Sequence, residues 1–345
     1  MERRFDYNEI IESTFISLRI RLARNFSAFP FPGKMDEAQA KDVVELVNAG
    51  LRELDKFERY DIQQINEQDA MLMQERRLIS PALLRSKYGS AFVSQYEGNV
   101  ISIMVNEEDH IREQYIYKRL DYFKAYERLS AVDEGLGSLF DFAFDEKLGY
   151  LTACPSNLGT GMRASVMMFL PGLEWNGGLD KVMKKLRKDG FTARGAFGEG
   201  TKAEGHTHQI SNERTLGRSE MELLEQMNEV THYLCRLEKA AREEMLETEK
   251  WKIKDKCMRS YGILSYCQTL SLKDFVEMIG DVKLGIALGF LQSDGFDELH
   301  DFMDGMRPNT FRFENKIYYA GEEHCEIVRA ETVRKVLPRI VRVAK

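Results

Sequence analysis

The chain has 345 residues, of which 43% are hydrophobic, so it is long enough for about two domains with a sizeable core. Asp and Glu outnumber Lys and Arg by 56 to 49, and the net charge of -7 disfavours nucleic acid or a membrane surface as partner. The sequence lacks an apolar run of about 18 residues and an N-terminal signal segment, so we expect no membrane span. Five scattered cysteines without a CxxC pair predict reduced thiols in a cytoplasm and no zinc site.

Alternating or continuous apolar runs predict strands, and amphipathic stretches between them predict helices. Because strands outnumber crossover helices in the middle of the chain, the pattern favours an antiparallel or mixed sheet over a doubly wound one. Ser219-x-x-Glu222 indicates a helix capping box, after which nearly all residues have helical spacing. We expect a domain boundary near 242–250, which gives domains 1–245 and 246–345. The predicted strands are 15–22, 100–105, 150–153, 164–170 and 191–197, and the predicted helices include 38–57 and 111–136.

Arginines recur beside strand patterns in stretches that also carry glycine- or acid-rich turns. Arg19 and Arg21 are two residues apart, so on a strand both side chains point to one face. A single arginine at a strand end is usually solvated or paired with an acid, but a group of five predicts a phosphate site, because forked guanidinium groups match phosphate oxygens. The stretches are SLRIRLARN (17–25), NEEDHIR (106–112), CPSNLGTGMRASV (154–166), RGAFGEG (194–200) and ISNERTLGRSE (210–220).

Other nucleotide-binding signatures are missing from the sequence. There is no GxxxxGK[ST] stretch and no HRD or DFG set, and GEGTKA (198–203) falls short of GxGxxG outside any βαβ pattern. A nucleotide bound here would therefore be held by arginine side chains rather than by a glycine-rich loop.

These stretches resemble the phosphagen (guanidino) kinase family, and in particular its bacterial protein arginine kinases of the McsB type. SLRIRLARN, NEEDHIR, GYLTACPSNLGTGMRASVMMFLP, RGAFGEG and QISNERTLGRSE occur in the family order over roughly residues 14–240. The first arginine-bearing strand begins near residue 15, which leaves no room for the N-terminal helical domain of kinases for small guanidines. The tail 260–290 and RPNTF (307–311) resemble the helical C-terminal domain of the protein-directed branch.

The resemblance implies an α+β fold, with a guanidino-kinase catalytic domain built on a twisted, largely antiparallel sheet flanked by helices, followed by a helical C-terminal domain. It also implies ATP with Mg²⁺, whose phosphates would be bound by five arginines and neighbouring backbone. The expected nucleotide-binding residues are Ser17, Leu18, Arg19, Ile20, Arg21, Arg77, Arg112, Arg163, Ala164, Ser165, Val166, Met167, Arg194, Gly195, Ala196, Phe197, Gly198 and Glu199.

The resemblance also assigns the catalytic carboxylates. Glu108, the second acid of NEEDH, matches the family's catalytic glutamate, and Glu199 matches its second guanidinium clamp. A carboxylate with a pKa near ~4.3 cannot deprotonate a guanidinium beforehand, but it can hold the cation, aim one nitrogen and take the proton as the N–P bond forms. We expect Glu107 and Asp109 to orient their neighbours. His110 should be structural, and Cys154 should have an electrostatic or packing role.

The sequence departs from the family at two places. Arg77 stands where the family has a nucleotide-contacting histidine, and a guanidinium can meet phosphate but does not reproduce a neutral imidazole contact. The phosphoarginine-binding motif Arg-Asp-x-x-Arg-Ala is matched by CEIVRA (325–330), so Cys325 and Glu326 replace the Arg-Asp pair while Arg329 stays. We therefore expect weakened or lost phosphoarginine binding. His206 and His208 are expected to be exposed strand histidines rather than metal ligands.

The leading hypothesis is an ATP-dependent kinase that phosphorylates arginine side chains in proteins. The resemblance further implies protein substrates with exposed arginine, delivery of the marked proteins to a Clp-type protease, a zinc-binding activator protein, and a homodimer formed through the C-terminal domain. Two alternatives stay open: a kinase for free arginine or another small guanidine, and a catalytically weak scaffold that keeps the kinase fold.

Overall fold

The fold is organised by one large sheet. A computed structural model describes residues 4–195 and 205–344. Within those residues, eight strands pair in the order β2-β3-β4-β5-β1-β8-β10-β9, every pair antiparallel, and four short strands form two separate ribbons. The strands are β1 (Phe15–Arg24), β2 (Glu58–Asp61), β3 (Ser90–Tyr96), β4 (Asn99–Val105), β5 (Ile111–Tyr117), β6 (Phe144–Asp145), β7 (Gly149–Tyr150), β8 (Met162–Phe169), β9 (Phe191–Gly195), β10 (Thr207–Asn212), β11 (Leu291–Gln292) and β12 (Arg342–Val343).

Helices flank the sheet and make up most of the chain after residue 219. The predicted capping box at Ser219 is confirmed: its hydroxyl accepts from the Glu222 amide, and the Glu222 carboxylate accepts from the Ser219 amide. The helices are α1 (Tyr7–Thr14), α2 (Glu37–Leu54), α3 (Glu67–Glu75), α4 (Pro81–Arg85), α5 (Tyr122–Leu139), α6 (Pro171–Trp175), α7 (Leu179–Lys188), α8 (Glu220–Thr248), α9 (Lys250–Tyr266), α10 (Leu272–Ala287), α11 (Phe296–Gly305), α12 (Pro308–Glu314) and α13 (Glu322–Ile340).

The predicted helix at 111–136 is wrong in its first part. Ile111–Tyr117 is strand β5, paired with β1 on one side and β4 on the other, and helix α5 starts only at Tyr122. The stretch IREQYIY alternates between a buried face and a face that carries Arg112 and Gln114, which is the two-residue period of a strand. Asp121 then caps α5 by accepting from the Lys124 amide. The helical periodicity of α5 also fits several apolar residues of β5, so the sequence predicts one helix where the structure has a strand and a helix.

The predicted strand at 150–153 is wrong beyond Tyr150. Only Gly149–Tyr150 forms a strand, and the following backbone groups find partners outside any ladder. The Leu151 amide donates to the Ala143 carbonyl, and the Ala153 amide donates to the Asp109 carboxylate. The strand prediction at 191–197 holds for Phe191–Gly195, and its last two residues lie outside the described ranges.

The two faces of the sheet have different chemistry. Along β1, Leu18, Ile20 and Leu22 have no exposed surface and lie in the main core, where helix α5 packs against β1. The alternate residues Arg19 and Arg21 therefore point to the opposite face. The hydrophobic effect fixes this register, because a shift by one residue would bury the arginines and expose the leucines.

The C-terminal helices have a core of their own. Leu264, Phe275, Ile279, Leu299 and Val333, from helices α9, α10, α11 and α13, are buried in this second cluster. The predicted boundary at 245/246 falls in the last turn of α8, and the division into two domains stays a prediction. Across the described part of the chain, no helix combines the length and the hydropathy that a membrane crossing requires.

A carboxylate joins the C-terminal helices to the rest of the fold. Glu75, the last residue of α3, accepts hydrogen bonds from the backbone amides of Asn309 (3.0 Å) and Thr310 (2.6 Å) at the start of α12. The Arg307 guanidinium donates to the Glu75 carbonyl at 3.2 Å. These contacts attach the start of α12 to Glu75, which precedes Arg77 by two positions in the chain.

A buried ion pair ties α8 to α1 and α6. Arg242 donates to the Glu238 carboxylate at 2.7 Å and to the Ser13 hydroxyl at 2.6 Å. Glu238 also accepts from the amides of Gly172 (2.8 Å) and Leu173 (3.0 Å). Both charged side chains are fully buried, so each depends on the other for compensation.

We predict that Arg242→Ala lowers the free energy of unfolding by about 3–5 kcal/mol, because Glu238 would be left as a buried charge without its partner. Urea unfolding followed by circular dichroism measures the change. Lys41→Ala is the control, since Lys41 forms an exposed ion pair with Glu37 and should leave stability unchanged. Equal midpoints for the wild type and Arg242→Ala would contradict the prediction.

Candidate active site

The register of the sheet brings four predicted arginines to one face. On the two sides of β1, Arg21 lies opposite Arg163 of β8 and Gln114 of β5, and Ala23 lies opposite Arg112. Residues directly opposite each other in antiparallel strands project to the same face. Arg19, Arg21, Arg112 and Arg163 therefore share the face that does not pack on the main core.

A cleft of about 1010 Å³ lies over this face. The arginines that line it come from three places: β1, β5 and β8 supply those named above, the turn after α3 supplies Arg77, and the residue before α12 supplies Arg307. Five of the six arginines expected to bind the nucleotide are thus brought together, and Arg307 is added by the C-terminal helices. Arg194 lies on β9 opposite Gln209, which also lines the cleft.

The guanidinium groups perturb one another. Burial and the neighbouring Arg77, Arg112 and Arg163 lower the pKa of Arg19 to about 9. Burial and nearby arginines also lower the pKa of Arg21 well below its ordinary value. The Nε atom of Arg21 is buried and has no hydrogen-bond partner among the described residues. A polyanion would relieve this repulsion, so the cluster has the electrostatics of a phosphate site.

The acids on either side of Glu108 orient neighbouring groups, as the sequence predicts. Glu107 accepts from Arg112 at 2.7 Å and from the Ser80 hydroxyl, and its side chain is almost fully buried. Asp109 accepts from the Asn25 amide group at 2.6 Å and from the Ala153 backbone amide at 2.7 Å. Glu107 thus holds Arg112, one of the arginines that line the cleft, in place.

Glu108 lies in the turn between β4 and β5. The Asn106 amide donates to the His110 carbonyl at 3.0 Å, and Asn106 has a φ of 60° at the start of the turn. Glu108 is exposed in this turn, next to the buried Glu107, and it is not among the side chains that line the cleft. The proposed catalytic carboxylate therefore stands in solvent, in the same turn as the Glu107 carboxylate that binds Arg112.

His110 and Cys154 have local contacts. The His110 Nδ1 accepts from the Phe26 amide at 3.0 Å, and its Nε2 donates to the Pro30 carbonyl at 2.9 Å. Burial lowers the pKa of His110, so the ring is neutral and serves as a structural link. The Cys154 thiol is half-buried and lies 3.1 Å from the Ser156 hydroxyl.

The other predicted nucleotide-binding residues divide into three groups. The side chains of Leu18, Ile20, Ala164 and Val166 are fully buried in the main core, so only their backbone could meet a ligand. Ser17, Ser165 and Met167 belong to the arginine-bearing face. Gly195 ends β9, and Ala196, Phe197, Gly198 and Glu199 lie outside the described residues.

The prediction for His206 and His208 needs correction, because they are not exposed strand histidines. Both rings bind the Glu174 carboxylate of α6, His208 at 2.5 Å and His206 through the other oxygen. Although burial opposes ionisation, the two histidines lower the pKa of Glu174 to about 2. The sequence pattern could not reveal this, since Glu174 precedes the two histidines by more than thirty residues. No group of three or more His, Cys, Asp or Glu in the described ranges could hold a metal ion.

The comparisons with known proteins agree with this geometry. A model of the ATP:guanido phosphotransferase C-terminal catalytic domain matches residues 39–241, and a model of the protein-arginine kinase McsB C-terminal domain matches residues 250–344. The protein-arginine kinase of Caldanaerobacter subterraneus subsp. tengcongensis is 39% identical over 309 residues, which are 88% of this chain and 90% of that protein. The chain belongs to the ATP:guanido phosphotransferase family. The C-terminal match places it among the protein-arginine kinases of that family.

A second relative supports the same assignment, and two solved structures share the fold. The protein-arginine kinase of Geobacillus stearothermophilus is 36% identical over 332 residues, covering 93% of this chain and 90% of that protein. The duplicated taurocyamine kinase of Schistosoma mansoni shares the fold, with a TM-score of 0.61, 22% identity, and coverage of 79% of this chain and 40% of the other. Lombricine kinase does so with a TM-score of 0.59, 24% identity, and coverage of 72% and 69%.

Several cleft residues of this guanidino kinase were missed by the sequence reasoning. Gln114, Gln209 and Ser211 line the cleft beside the arginines. Gln114 is two residues after Arg112, so its position on the same face could have been read once β5 was recognised as a strand. Arg307 and Asn309 belong to RPNTF, which had been interpreted only as a mark of the C-terminal domain. Their place at the cleft depends on tertiary packing, which local patterns do not encode.

The family implies a phosphoryl donor with Mg²⁺, and the donor set of the cleft fits such a complex. Its arginines would hold the phosphate oxygens, and the cleft has few carboxylates that could cage a metal. Mg²⁺ commonly reaches such sites coordinated by substrate phosphates and waters. When bound, it would neutralise phosphate charge.

The CEIVRA stretch lies on α13, inside the C-terminal core. Arg329 is 2% exposed, donates to the Leu270 carbonyl at 2.8 Å, and packs over the Phe311 ring at 5.1 Å. Cys325 is also buried. The Arg329 guanidinium therefore makes its hydrogen bond inside the protein, while its Nε is buried without a hydrogen-bond partner among the described residues.

We predict that Arg329 does not contribute to any affinity for a phosphoarginine peptide. Its guanidinium is buried, and Cys325 does not supply a second guanidinium group. Isothermal titration calorimetry of the wild type and Arg329→Lys should give the same absence of saturable binding. Arg339→Lys, at an exposed position on the same helix, is the control. Tight binding that only Arg329→Lys abolishes would reject the expectation.

We also predict that Arg21→Met raises the free energy of unfolding by about 1 kcal/mol while weakening nucleotide binding, because it removes like-charge repulsion together with a phosphate ligand. In the wild type, ATP at 100 times its dissociation constant should add about 2.7 kcal/mol of stability. The variant should gain much less at the same ATP concentration.

Denaturant unfolding with and without ATP provides both measurements. Arg52→Met is the matched control, because Arg52 is exposed on α2, away from the cleft. If Arg21→Met were destabilised and still gained the full stabilisation from ATP, the electrostatic account of the cleft would be wrong.

Proposed function

We propose that this protein transfers the γ-phosphoryl group of ATP to the guanidino group of arginine residues in proteins. The observation that carries the proposal is the cleft itself, where guanidinium groups from β1, β5 and β8 meet Arg77 and Arg307. Membership of the guanidino phosphotransferase family and the match to the McsB C-terminal domain support the acceptor type. Relatives that align over most of the chain carry the name protein-arginine kinase.

The arginines would bind and orient the polyphosphate. Arg21 and Arg163 are directly opposite each other, so their two forks can grip one phosphate group from adjacent strands. Glu107 holds Arg112 in place by a 2.7 Å ion pair, which limits the rearrangement needed when phosphate binds. Because the arginine positions are set by the sheet register, the site is organised before the substrate arrives.

The acceptor chemistry needs carboxylates rather than a strong base. Glu108 would bind the substrate guanidinium, orient one nitrogen toward the γ-phosphorus and accept its proton as the N–P bond forms and the bond to the β-γ bridging oxygen breaks. Glu199 would provide a second carboxylate for the same guanidinium. The exposed position of Glu108 supports an acceptor that approaches from solvent, such as an arginine on a protein surface.

The partners implied by the family resemblance stay predictions. They are a second copy of the chain bound through the C-terminal helices, a zinc-binding activator protein, and a Clp-type protease that receives the phosphorylated substrates. A cytoplasmic location is proposed on the same basis.

We predict that Glu108→Ala lowers the rate of protein arginine phosphorylation by roughly 100- to 10,000-fold, because it removes the group that accepts the proton. Intact-mass spectrometry of an arginine-rich substrate protein at neutral pH measures the gain of phosphoryl groups, and the neutral pH protects the acid-labile N–P bond. Glu97→Ala is the control, since Glu97 is exposed in the turn between β3 and β4 at the other end of β4.

Three outcomes would count against this account. Equal phosphoryl gain in Glu108→Ala and the wild type would reject the role of Glu108. Phosphorylation of free arginine but not of the substrate protein would replace the proposed activity with that of a small-guanidine kinase. A wild type that phosphorylates neither acceptor would favour the scaffold alternative.

A further inference from the structure

Exposed apolar side chains gather on the two-stranded ribbon of β6 and β7. Phe144 of β6 is 59% exposed, and its ring packs edge-on against the ring of Tyr150 in β7, with 5.3 Å between the centroids. Leu148, in the turn between the two strands, and Leu216, in the segment before α8, are also exposed. We call these four residues the ribbon patch. Large apolar side chains that are exposed together on a surface are typical of a binding site.

Backbone contacts hold the members of the ribbon patch side by side. The Tyr150 amide donates to the Gly159 carbonyl at 2.8 Å. Gly159 lies so close to Leu216 that a Cβ atom added to the glycine would come within 2.8 Å of the Leu216 Cα. The Asp145 carboxylate accepts from the Leu148 amide at 2.9 Å, which holds the turn of the ribbon. The patch is therefore formed before any ligand binds, so binding does not have to order this part of the chain.

Hydrogen bonds join both strands of the ribbon to the turn that carries Glu108. The Asn25 carboxamide donates to Asp109, the residue after Glu108, at 2.6 Å and to the Leu151 carbonyl at 3.0 Å. The Asn25 carbonyl accepts from the Ala143 amide at 2.7 Å. Ala143 immediately precedes β6, and Leu151 immediately follows β7. The ribbon is thus attached at both ends to the turn of the proposed catalytic carboxylate.

The ribbon patch lies within a few residues' reach of that turn. The Ala153 amide donates to Asp109 at 2.7 Å, and Tyr150 precedes Ala153 by three positions, so their Cα atoms are at most about 11 Å apart. An extended polypeptide advances about 3.3 Å per residue. A segment whose arginine meets Glu108 would therefore bring a residue about three to five positions away onto the patch.

The charges around the patch match a segment that contains arginine. Asp141, Asp145 and Glu146 are exposed on or beside the ribbon. With the neighbouring Lys147, their net charge is -2, from three carboxylates and one ammonium group. Glu108 adds another exposed carboxylate. Apolar side chains with a negative rim favour a polypeptide that carries both an arginine and an apolar residue over an acidic or wholly polar one.

We propose that the ribbon patch binds an apolar side chain of the protein substrate, about three to five residues from the target arginine. This inference rests on the proposed function, because it takes arginine in a polypeptide as the acceptor. It assigns the ribbon a part in substrate choice: Glu108 binds the guanidinium, and the patch recognises the sequence around it. Arginines near leucine, phenylalanine or methionine would then be phosphorylated more efficiently than arginines in wholly polar segments.

The test uses two peptides that each contain one arginine. They differ only at the positions four residues before and four residues after it, which are leucine in one peptide and serine in the other. With the wild type, we expect kcat/KM to be roughly three- to tenfold higher for the leucine peptide, mainly through a lower KM, since part of an apolar side chain is buried on binding. Phe144→Ser should bring this ratio close to one by lowering kcat/KM for the leucine peptide.

Phe144→Leu provides a rescue, because it keeps an apolar side chain on the ribbon and should retain most of the preference for the leucine peptide. Tyr319→Ser is the matched control, since Tyr319 is a highly exposed aromatic residue between α12 and α13 and should leave the ratio unchanged. Light scattering of each variant measures its oligomeric state alongside the kinetics.

A ratio near one in the wild type, or a preference that Phe144→Ser leaves intact, would overturn the proposal and leave the kinase assignment in place. If Phe144→Ser changed the oligomeric state without changing the ratio, the patch would be a contact between copies of the chain, and the proposal would also be wrong. A wild type that phosphorylates neither peptide would overturn the proposed function and this inference with it.

Discussion

Repulsion among guanidinium groups on one face of a sheet is the constraint on which this structure depends. Arg19, Arg21, Arg112 and Arg163 are brought together because the opposite faces of their strands are needed for the core. The hydrophobic core thus provides the stability that holds like charges at close range. The site does not have to assemble around a ligand, since β1 and its two neighbours already fix where these guanidinium groups lie.

The negative charge that compensates the arginines is small, and it comes from a carboxylate that does not line the cleft. Glu107 neutralises part of the field by binding Arg112, and its other oxygen is held by Ser80. More carboxylates in the cleft would stabilise the protein alone and compete with phosphate for the same forks. The distribution therefore favours binding at the expense of stability, which is a common compromise at functional sites.

The sequence predicted the arginine-bearing face of the sheet and the start of α8 well, because the patterns that indicate them are local. The two-residue spacing of Arg19 and Arg21 determines their shared face, and the capping box at Ser219 determines where α8 starts. The error at Ile111–Tyr117 arose because a strand followed closely by a helix has apolar residues that fit a continuous helical pattern over part of its length. The positions of Arg307 and Glu174 were not predictable, since each depends on how distant helices pack against the sheet.

Glu75 connects helix α12 to the arginine cleft over a short stretch of chain. Its carboxylate holds the first amides of α12, and Arg77 enters the cleft only two residues later. A shift of α12 would therefore act almost directly on a guanidinium that lines the cleft. Thermodynamic reciprocity then requires that any molecule which moves α12 alters nucleotide affinity by the same factor by which the nucleotide alters the affinity for that molecule. For the nucleotide site proposed above, this linkage would couple nucleotide binding to the binding of any molecule that contacts α12.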